Sequence, residues 1–286
     1  MSSVHERLVD ARQALTREGI GADEATVDAE VLARHALGWD RAALVARWRD
    51  PAPSGFSERL DVLVARRAAR EPVAYITGHR EFWGLDFEVT PDVLIPRPET
   101  ELVVDEARRF AREVRVPHSV VDVGAGSGCL AIALAREFPD ARVTGTDISS
   151  AALAVARRNA DRLGVSDRLT LIETDLLDGA PAAADLIVSN PPYVPAGDAP
   201  SLPPEVGLHE PHAALFGGDG DGLDIVRRLL ASAATHLAPG GRLVMEFGFG
   251  QEMAVRDAAR EAGWTMVRVT PDLQAIPRVA VLRRSL

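Results

Sequence analysis

Apolar positions in the first part of the chain recur at helical spacing. Leu8, Ala11 and Leu15 fall on one helical face, and Val27, Val31, Leu32 and Leu37 on another. Gly19 and Gly38 follow these runs as stop signals. "DPAPSG" (50–55) interrupts the period and "FSERLDVLVARRAAR" (56–70) resumes it, so residues 3–70 predict several short helices. From "REFWGLDFEVT" (80–90) the period becomes two, which predicts a β-hairpin turning at Gly84. Pro91, Pro96 and Pro98 then punctuate "PDVLIPRPETE" (91–101), and "LVVDEARRFARE" (102–113) reads as a helix.

Beyond this point strands and helices alternate. "SVVDVGAG" (119–126), "RVTGTDI" (142–148), "LTLIETDL" (169–176), "DLIVSN" (185–190) and "RLVMEFG" (242–248) predict strands. Helical runs follow the first two, and two more flank the last. "TMVRVT" (265–270) and "RVAVLRR" (278–284) close the chain as strands. Alternation of this kind predicts an α/β fold with a parallel, doubly wound sheet. The short link between the final strands predicts an antiparallel edge. The expected organisation is a small all-helical domain at 1–79, a hairpin linker at 80–96 and an α/β domain at 97–286.

Composition narrows the class. The chain has 286 residues, 47% hydrophobic and 26% charged, as in a soluble globular protein. It has no apolar run of about 18 residues, the length of a membrane span. "MSSVHERLVD" lacks the apolar core of a secretion signal. The single cysteine, Cys129, cannot pair within the chain, so a cytoplasmic setting is expected. All 32 basic residues are arginine, which excludes a lysine Schiff base and a Gly-Lys-Ser/Thr phosphate loop. Net charge is −10, and residues 1–80 carry 12 arginines against 12 acids. Neither part of the chain has the basic excess of a nucleic-acid binder, and no direct nucleic-acid partner or membrane is expected.

Two strand ends carry candidate chemistry. "VVDVGAGSGCL" (120–130) places Gly124, Gly126 and Gly128 between a β-branched strand and a helix. Glycines there permit a tight turn and close backbone approach to a ligand. Asp147 ends the next strand, where a carboxylate can accept ribose hydroxyls; Ser149 and Ser150 are the better helix caps. Together these features predict a nucleoside cofactor. The G-x-G-x-G spacing resembles the first motif of class I S-adenosylmethionine methyltransferases.

"DLIVSNPPYV" (185–194) ends a strand in Asn190, Pro191, Pro192 and Tyr193, facing the same crevice. An amino group conjugated to a carbonyl or a ring has a delocalised lone pair and offers two N–H donors. The Asn190 side-chain oxygen can accept one and the Pro191 carbonyl the other. Those contacts strengthen as the nitrogen pyramidalises and gains charge, so they favour the transition state. Tyr193 offers a ring face. Adenine N6 and a glutamine side chain both fit this cradle. Cys129 reads as core, and "HEPH" (209–212) as surface histidines with no metal.

In these motifs the chain resembles the HemK/PrmC family of protein-glutamine methyltransferases. They are "EPVAYITGHREFWG" (71–84), "VLIPRPETE" (93–101), "VVDVGAGSG", "GTDIS", "VSNPPYV", "EPHAALFGGDGDGLD" (210–224) and "LVMEFGFGQ" (243–251). The resemblance implies a class I methyltransferase sheet with a helical N-terminal domain and a hairpin between them. It implies S-adenosylmethionine as cofactor, held by Gly124, Ala125, Gly126, Ser127, Gly128, Asp147, Asp175, Leu176 and Asn190. It implies the glutamine of a Gly-Gly-Gln loop in class 1 peptide chain release factors as substrate. Asn190, Pro191, Pro192 and Tyr193 then grip the amide, Arg97, Glu99 and Thr100 lie behind it, and residues 1–79 hold the release factor. Leu176 stands where relatives often have an aromatic, and Ala275 where they usually have glycine.

Overall fold

The computed structural model describes residues 2–285. Five helices come first: α1 (Val4–Arg17), α2 (Ala22–Leu37), α3 (Arg41–Arg47), α4 (Phe56–Ala68) and α5 (Val73–Thr77). The hairpin β1 (His79–Phe82) and β2 (Leu85–Glu88) precedes α6 (Glu101–Glu113), β3 (Ser119–Val123), α7 (Cys129–Glu137), β4 (Arg142–Asp147), α8 (Ser150–Leu163), β5 (Leu169–Glu173) and β6 (Ala184–Ser189). Then come β7 (Val194–Pro195), α9 (Pro204–His209), α10 (His212–Leu215), β8 (Phe216–Gly218), α11 (Asp224–Ala233), β9 (Leu237–Glu246), α12 (Glu252–Glu261), β10 (Trp264–Pro271) and β11 (Pro277–Arg284).

Contacts divide the chain into two units, Met1–Gly78 with Pro203–His209, and His79–Leu202 with Glu210–Leu286. Boundaries read along the sequence assign 203–209 to the α/β domain; the contacts group α9 with the helical unit.

The helical unit starts on a capping box: Ser3 Oγ accepts the Glu6 N–H at 3.2 Å and Glu6 Oε2 accepts the Ser3 N–H at 2.7 Å. The period of α2 is helical, but its inner face is Ala25, Asp28, Ala29, Leu32 and Ala33, while Val27 is exposed. Asp28 is turned inward to meet Arg67 of α4, which is 2% exposed. Arg67 donates to Asp28 at 2.6 Å, to Glu24 at 2.7 Å and to Glu205 of α9 at 2.8 Å. A guanidinium so enclosed is stable only with its carboxylates present.

In the second unit the hairpin turns through Trp83 and Gly84, both at positive φ (54° and 71°), as a type I′ turn requires. Trp83 is held in that conformation by its N–H to Glu101 Oε1 and its indole N–H to Glu137 Oε1, each at 2.8 Å. Seven strands form one sheet in the order β10-β11-β9-β6-β3-β4-β5. β9, β6, β3, β4 and β5 pair in parallel, whereas β11 is antiparallel to both β9 and β10. The antiparallel edge follows the sequence expectation, and the last strand inserts ahead of the one before it. Alternate residues face opposite sides of the sheet. Val120, Leu186 and Val244 pack with α6 and α7, while Val121, Ile187 and Leu243 pack with α11 and α12. Ala275, in the β10–β11 turn, sits at φ 62°, a conformation that suits glycine. Asp272 holds that turn by accepting the N–H groups of Gln274 and Ile276 at 2.8 and 3.0 Å.

Candidate active site

β3 and β6 are parallel neighbours, in register from Val120↔Leu186 to Val123↔Ser189. Chain leaving β3 enters α7 on one face; chain leaving β6 reaches α11 on the other. The connections therefore part between these strands, where doubly wound sheets open a crevice. A cavity of about 450 Å³ lies there, within the usual range for a small-molecule site.

The glycine turn forms one wall. Gly124 and Ala125 both donate to the Thr146 carbonyl, at 2.8 and 2.9 Å, which folds the turn against the end of β4. A Cβ on Gly128 would lie 3.1 Å from the Ala156 Cβ, so this glycine lets α8 approach. Asp147 accepts the Gly126 N–H through Oδ2 at 2.8 Å and the Ser149 N–H through Oδ1 at 2.9 Å. Ser149 caps α8, as its Oγ accepts the Ala152 N–H at 3.1 Å. Each Asp147 oxygen keeps a lone pair for a ribose hydroxyl. Burial raises the Asp147 pKa above its ordinary value, against the opposing N–H bonds of Ser149, Gly126 and Ile148.

Asn159 was not legible as a site residue. It is wholly buried in α8, and its Nδ2 donates to the carbonyls of Ser127 and Glu88, both at 2.9 Å. Its Oδ1 accepts the Glu88 N–H at 2.8 Å, so one side chain ties the glycine turn to the hairpin. A polar residue inside an amphipathic helix gives no sequence signal of such a role.

The wall chemistry fits S-adenosylmethionine. Asp122 Oδ1, Ser127 Oγ and Thr146 Oγ1 are buried beside the cavity with no hydrogen-bond partner among the described residues. Asp92, Asp122, Asp147 and Asp175 line it. Its two arginines are both committed, Arg97 to Glu210 and Arg228 to Asp175. Carboxylates and unpaired acceptors suit a cationic, hydroxyl-bearing ligand rather than a phosphate. Asp122 is pushed up to about 7 by burial, against the Ala131 N–H bond and with the help of nearby Asp147.

Ala125 lines the wall, and Leu176 reaches it at φ 52°. Ile148, unmarked in the sequence, lines it with 67% of its surface exposed, an apolar face beside the Asp147 carboxylate. Cys129 also borders the cavity, but burial and then Asp122 push its thiol up to about 12, which leaves no thiolate nucleophile.

Asn190, Pro191 and Pro192 line the opposite wall. Two glycine-bearing segments fix their backbone. A Cβ on Gly217 would sit 2.5 Å from the Pro192 carbonyl oxygen, and one on Gly222 2.4 Å from that of Tyr193. Gln251 donates to the Tyr193 and Asp221 carbonyls at 2.8 Å and accepts the Gly248 N–H at 2.8 Å. The "GGDGDG" and "FGFGQ" motifs thus clamp the proline pair. Asn190 Nδ2 donates to Thr100 Oγ1 at 3.0 Å.

Tyr193 and Glu99 do not line the cavity, although the resemblance puts both at the site. The Tyr193 hydroxyl instead donates to buried Glu246 at 3.1 Å, and Gly248 packs on its ring edge. Arg97 and Thr100 are on the wall. Glu210, the acid within "HEPH", is 4% exposed; it accepts from Arg97 at 2.5 Å and from the Ile95 N–H at 3.1 Å, which pins the proline-rich loop.

Residues 6–78 match the PrmC N-terminal domain, and residues 103–201 the Methyltransferase small domain. A release factor glutamine methyltransferase of Cereibacter sphaeroides is 46% identical over 265 residues, covering 92% of each chain. One from Geobacter sulfurreducens is 45% identical over 262 residues, covering 91% of this chain and 89% of that one. A methyltransferase structure from Pyrococcus furiosus, 18% identical, superposes with a TM-score of 0.52 over 78% of this chain and 98% of its own, which shows a shared fold. The chain therefore belongs to the release factor glutamine methyltransferase family.

Proposed function

We propose that the protein transfers the methyl group of S-adenosylmethionine to the side-chain amide nitrogen of the glutamine in the Gly-Gly-Gln loop of class 1 peptide chain release factors. The observation that carries this reading is the shared cavity: the Asn190–Pro191 cradle and the Gly124–Gly128 turn with Asp147 line one space of about 450 Å³.

The cofactor, when bound, supplies an electrophilic methyl on a cationic sulfur. Asp147 takes the ribose hydroxyls while its N–H bonds to Gly126 and Ser149 hold the glycine turn closed. Asn190 and the Pro191 carbonyl accept the two amide hydrogens of the substrate. Both contacts strengthen as the nitrogen leaves the amide plane, and one such preorganised contact is worth about 3 kcal/mol at the transition state. No strong base is needed, because the nitrogen sheds its proton after it gains the methyl.

The helical unit, whose residues 6–78 match the PrmC N-terminal domain, serves as the docking element for the release factor. A cytoplasmic setting is consistent with this partner, and no helix among the described residues is long and apolar enough to cross a membrane. The test is incubation of the protein with isotopically labelled S-adenosylmethionine and a purified class 1 release factor. Mass spectrometry is expected to place one methyl on the glutamine of the Gly-Gly-Gln loop. Label on any other residue, or on added nucleic acid alone, overturns the reading.

A further inference from the structure

Glu246 ends β9, beside β6 in the sheet, and is 2% exposed. Its Oε2 accepts the Thr100 hydroxyl at 2.6 Å and its Oε1 accepts the Tyr193 hydroxyl at 3.1 Å. A threonine hydroxyl has a single proton. Once that proton points at Glu246, Thr100 meets Asn190 only as an acceptor. The contact is made by Asn190 Nδ2, at 3.0 Å. An amide that spends its nitrogen on Thr100 has its oxygen left for a ligand.

We propose that Glu246, acting through Thr100, is a positioning residue that decides which end of the Asn190 amide faces the cavity. The geometry stands on its own; its catalytic consequence rests on the methyl-transfer reading above. With Glu246 ionised, the relay runs Asn190 to Thr100 to Glu246, every donor meets an acceptor, and Asn190 offers oxygen to a substrate N–H. With a proton on Glu246, the carboxyl donates to Thr100, the Thr100 hydroxyl donates to Asn190, and the amide turns over. It then offers an NH2 to the substrate NH2, donor against donor.

The surroundings make both states accessible near neutrality. Burial pushes Glu246 up to about 7, opposed by the hydrogen bonds from Thr100 and Tyr193. Glu99, one residue before Thr100, also raises it, and Arg278 of β11 lowers it. Cys129, at the head of α7, stays a neutral thiol, and burial keeps the Tyr193 phenol protonated, so neither competes for the change of charge. Arg97 acts on Tyr193 from the same loop as Thr100.

A readout free of cofactor and substrate is the side-chain NH2 resonance pair of Asn190, identified by its loss in Asn190→Ala. In the wild-type protein, titrated between about pH 5 and about pH 9, this pair is expected to shift with one midpoint. The midpoint is expected to vanish in Glu246→Gln and in Thr100→Val. A pair that does not titrate in the wild type, or that titrates alike in both variants, overturns the proposal; the first of these results needs neither Glu246→Gln nor Thr100→Val to fold.

Kinetics supply the second arm. The kcat for release-factor methylation is expected to fall on acidification, and Glu246→Gln is expected to show no such limb. Thr100→Val is expected to lose about 10-fold in kcat with KM for the cofactor within about twofold, and Thr100→Ser to regain most of the loss. An acid limb unchanged in Glu246→Gln, or full kcat in Thr100→Val, counts against positioning. Resonances that titrate as stated in a protein that methylates no release factor leave the relay standing and refute the function. Methylation with a silent Asn190 refutes the relay alone.

Discussion

Asp122 on β3 accepts the Ala131 N–H of α7 at 3.0 Å through Oδ2, while its Oδ1 has no partner among the described residues. A buried carboxyl satisfied on one side favours its protonated form, which is why burial carries Asp122 up to about 7. A cation at the cavity wall favours the carboxylate instead. Binding of S-adenosylmethionine at neutral pH is therefore expected to release about half a proton. Calorimetry in buffers of different ionisation enthalpy measures it, and Asp122→Asn is expected to abolish it. Proton uptake on binding contradicts the assignment.

The same group shapes stability. In the unfolded chain it ionises near the ordinary aspartate value of 3.8, so between there and about 7 the native state holds a proton that the unfolded state has lost. Its contribution makes stability fall as pH rises through that window and level off above it. Asp122→Asn is accordingly expected to unfold at a higher denaturant concentration than the wild type at pH above that window.

Asp147 holds the glycine turn and lines the cavity, where the proposed function gives it the ribose hydroxyls. Asp147→Ala removes the acceptors of the Gly126 and Ser149 N–H groups together with the ligand contact. Loss of a hydrogen bond to a charged group costs about 1.5–3 kcal/mol, so S-adenosylhomocysteine affinity is expected to drop at least about 10-fold. Unchanged affinity by calorimetry would move the ribose elsewhere.

Asn190→Ala takes one acceptor from the cradle and leaves the glycine turn untouched. Turnover is expected to fall by about 100-fold or more, as when one preorganised polar contact to a developing charge is lost. Cofactor affinity is expected to change by less than about threefold. Single-turnover methylation with cofactor binding measured in parallel separates the two, and near-normal turnover refutes the cradle.

Arg67→Ala leaves Asp28 buried without its cation and Glu205 with Arg70 alone. Breaking a buried ion pair by removing one partner costs about 3–5 kcal/mol. The variant is expected to lose that much stability in denaturant melts while the second unit keeps its affinity for S-adenosylhomocysteine. A loss below about 1 kcal/mol shows that the guanidinium is replaceable by water.

The strand-helix alternation, the hairpin at Gly84 and the strand ends that line the cavity were legible because each rests on local period and local punctuation. Gly124, Asp147 and Asn190 stand where apolar strands stop, and that position is itself the signal. Insertion of β11 between β9 and β10 was not legible, since neighbouring strands in sequence give no cue that one pairs past the other. Glu246, Asn159, Glu210 and Gln251 were missed for a different reason. The partner of each lies far along the chain, beyond the reach of local period: Thr100 for Glu246, Glu88 for Asn159, Arg97 for Glu210, Tyr193 for Gln251. Val27 read as core from its period, yet Asp28 beside it is the inward residue, because the buried Arg67 makes a carboxylate the better neighbour.

Arg67 and Glu205 are 138 residues apart in the chain. On the ribosome the first five helices emerge long before their last partner is made. At about 5–20 residues per second, the guanidinium waits roughly 10 s with Glu24 and Asp28 as its only counter-charges. The N-terminal unit is thus first out and last finished: its final ion pair closes only after seven strands of the other unit, β1 to β7, have been synthesised, so vectorial synthesis couples the maturation of the two units in time.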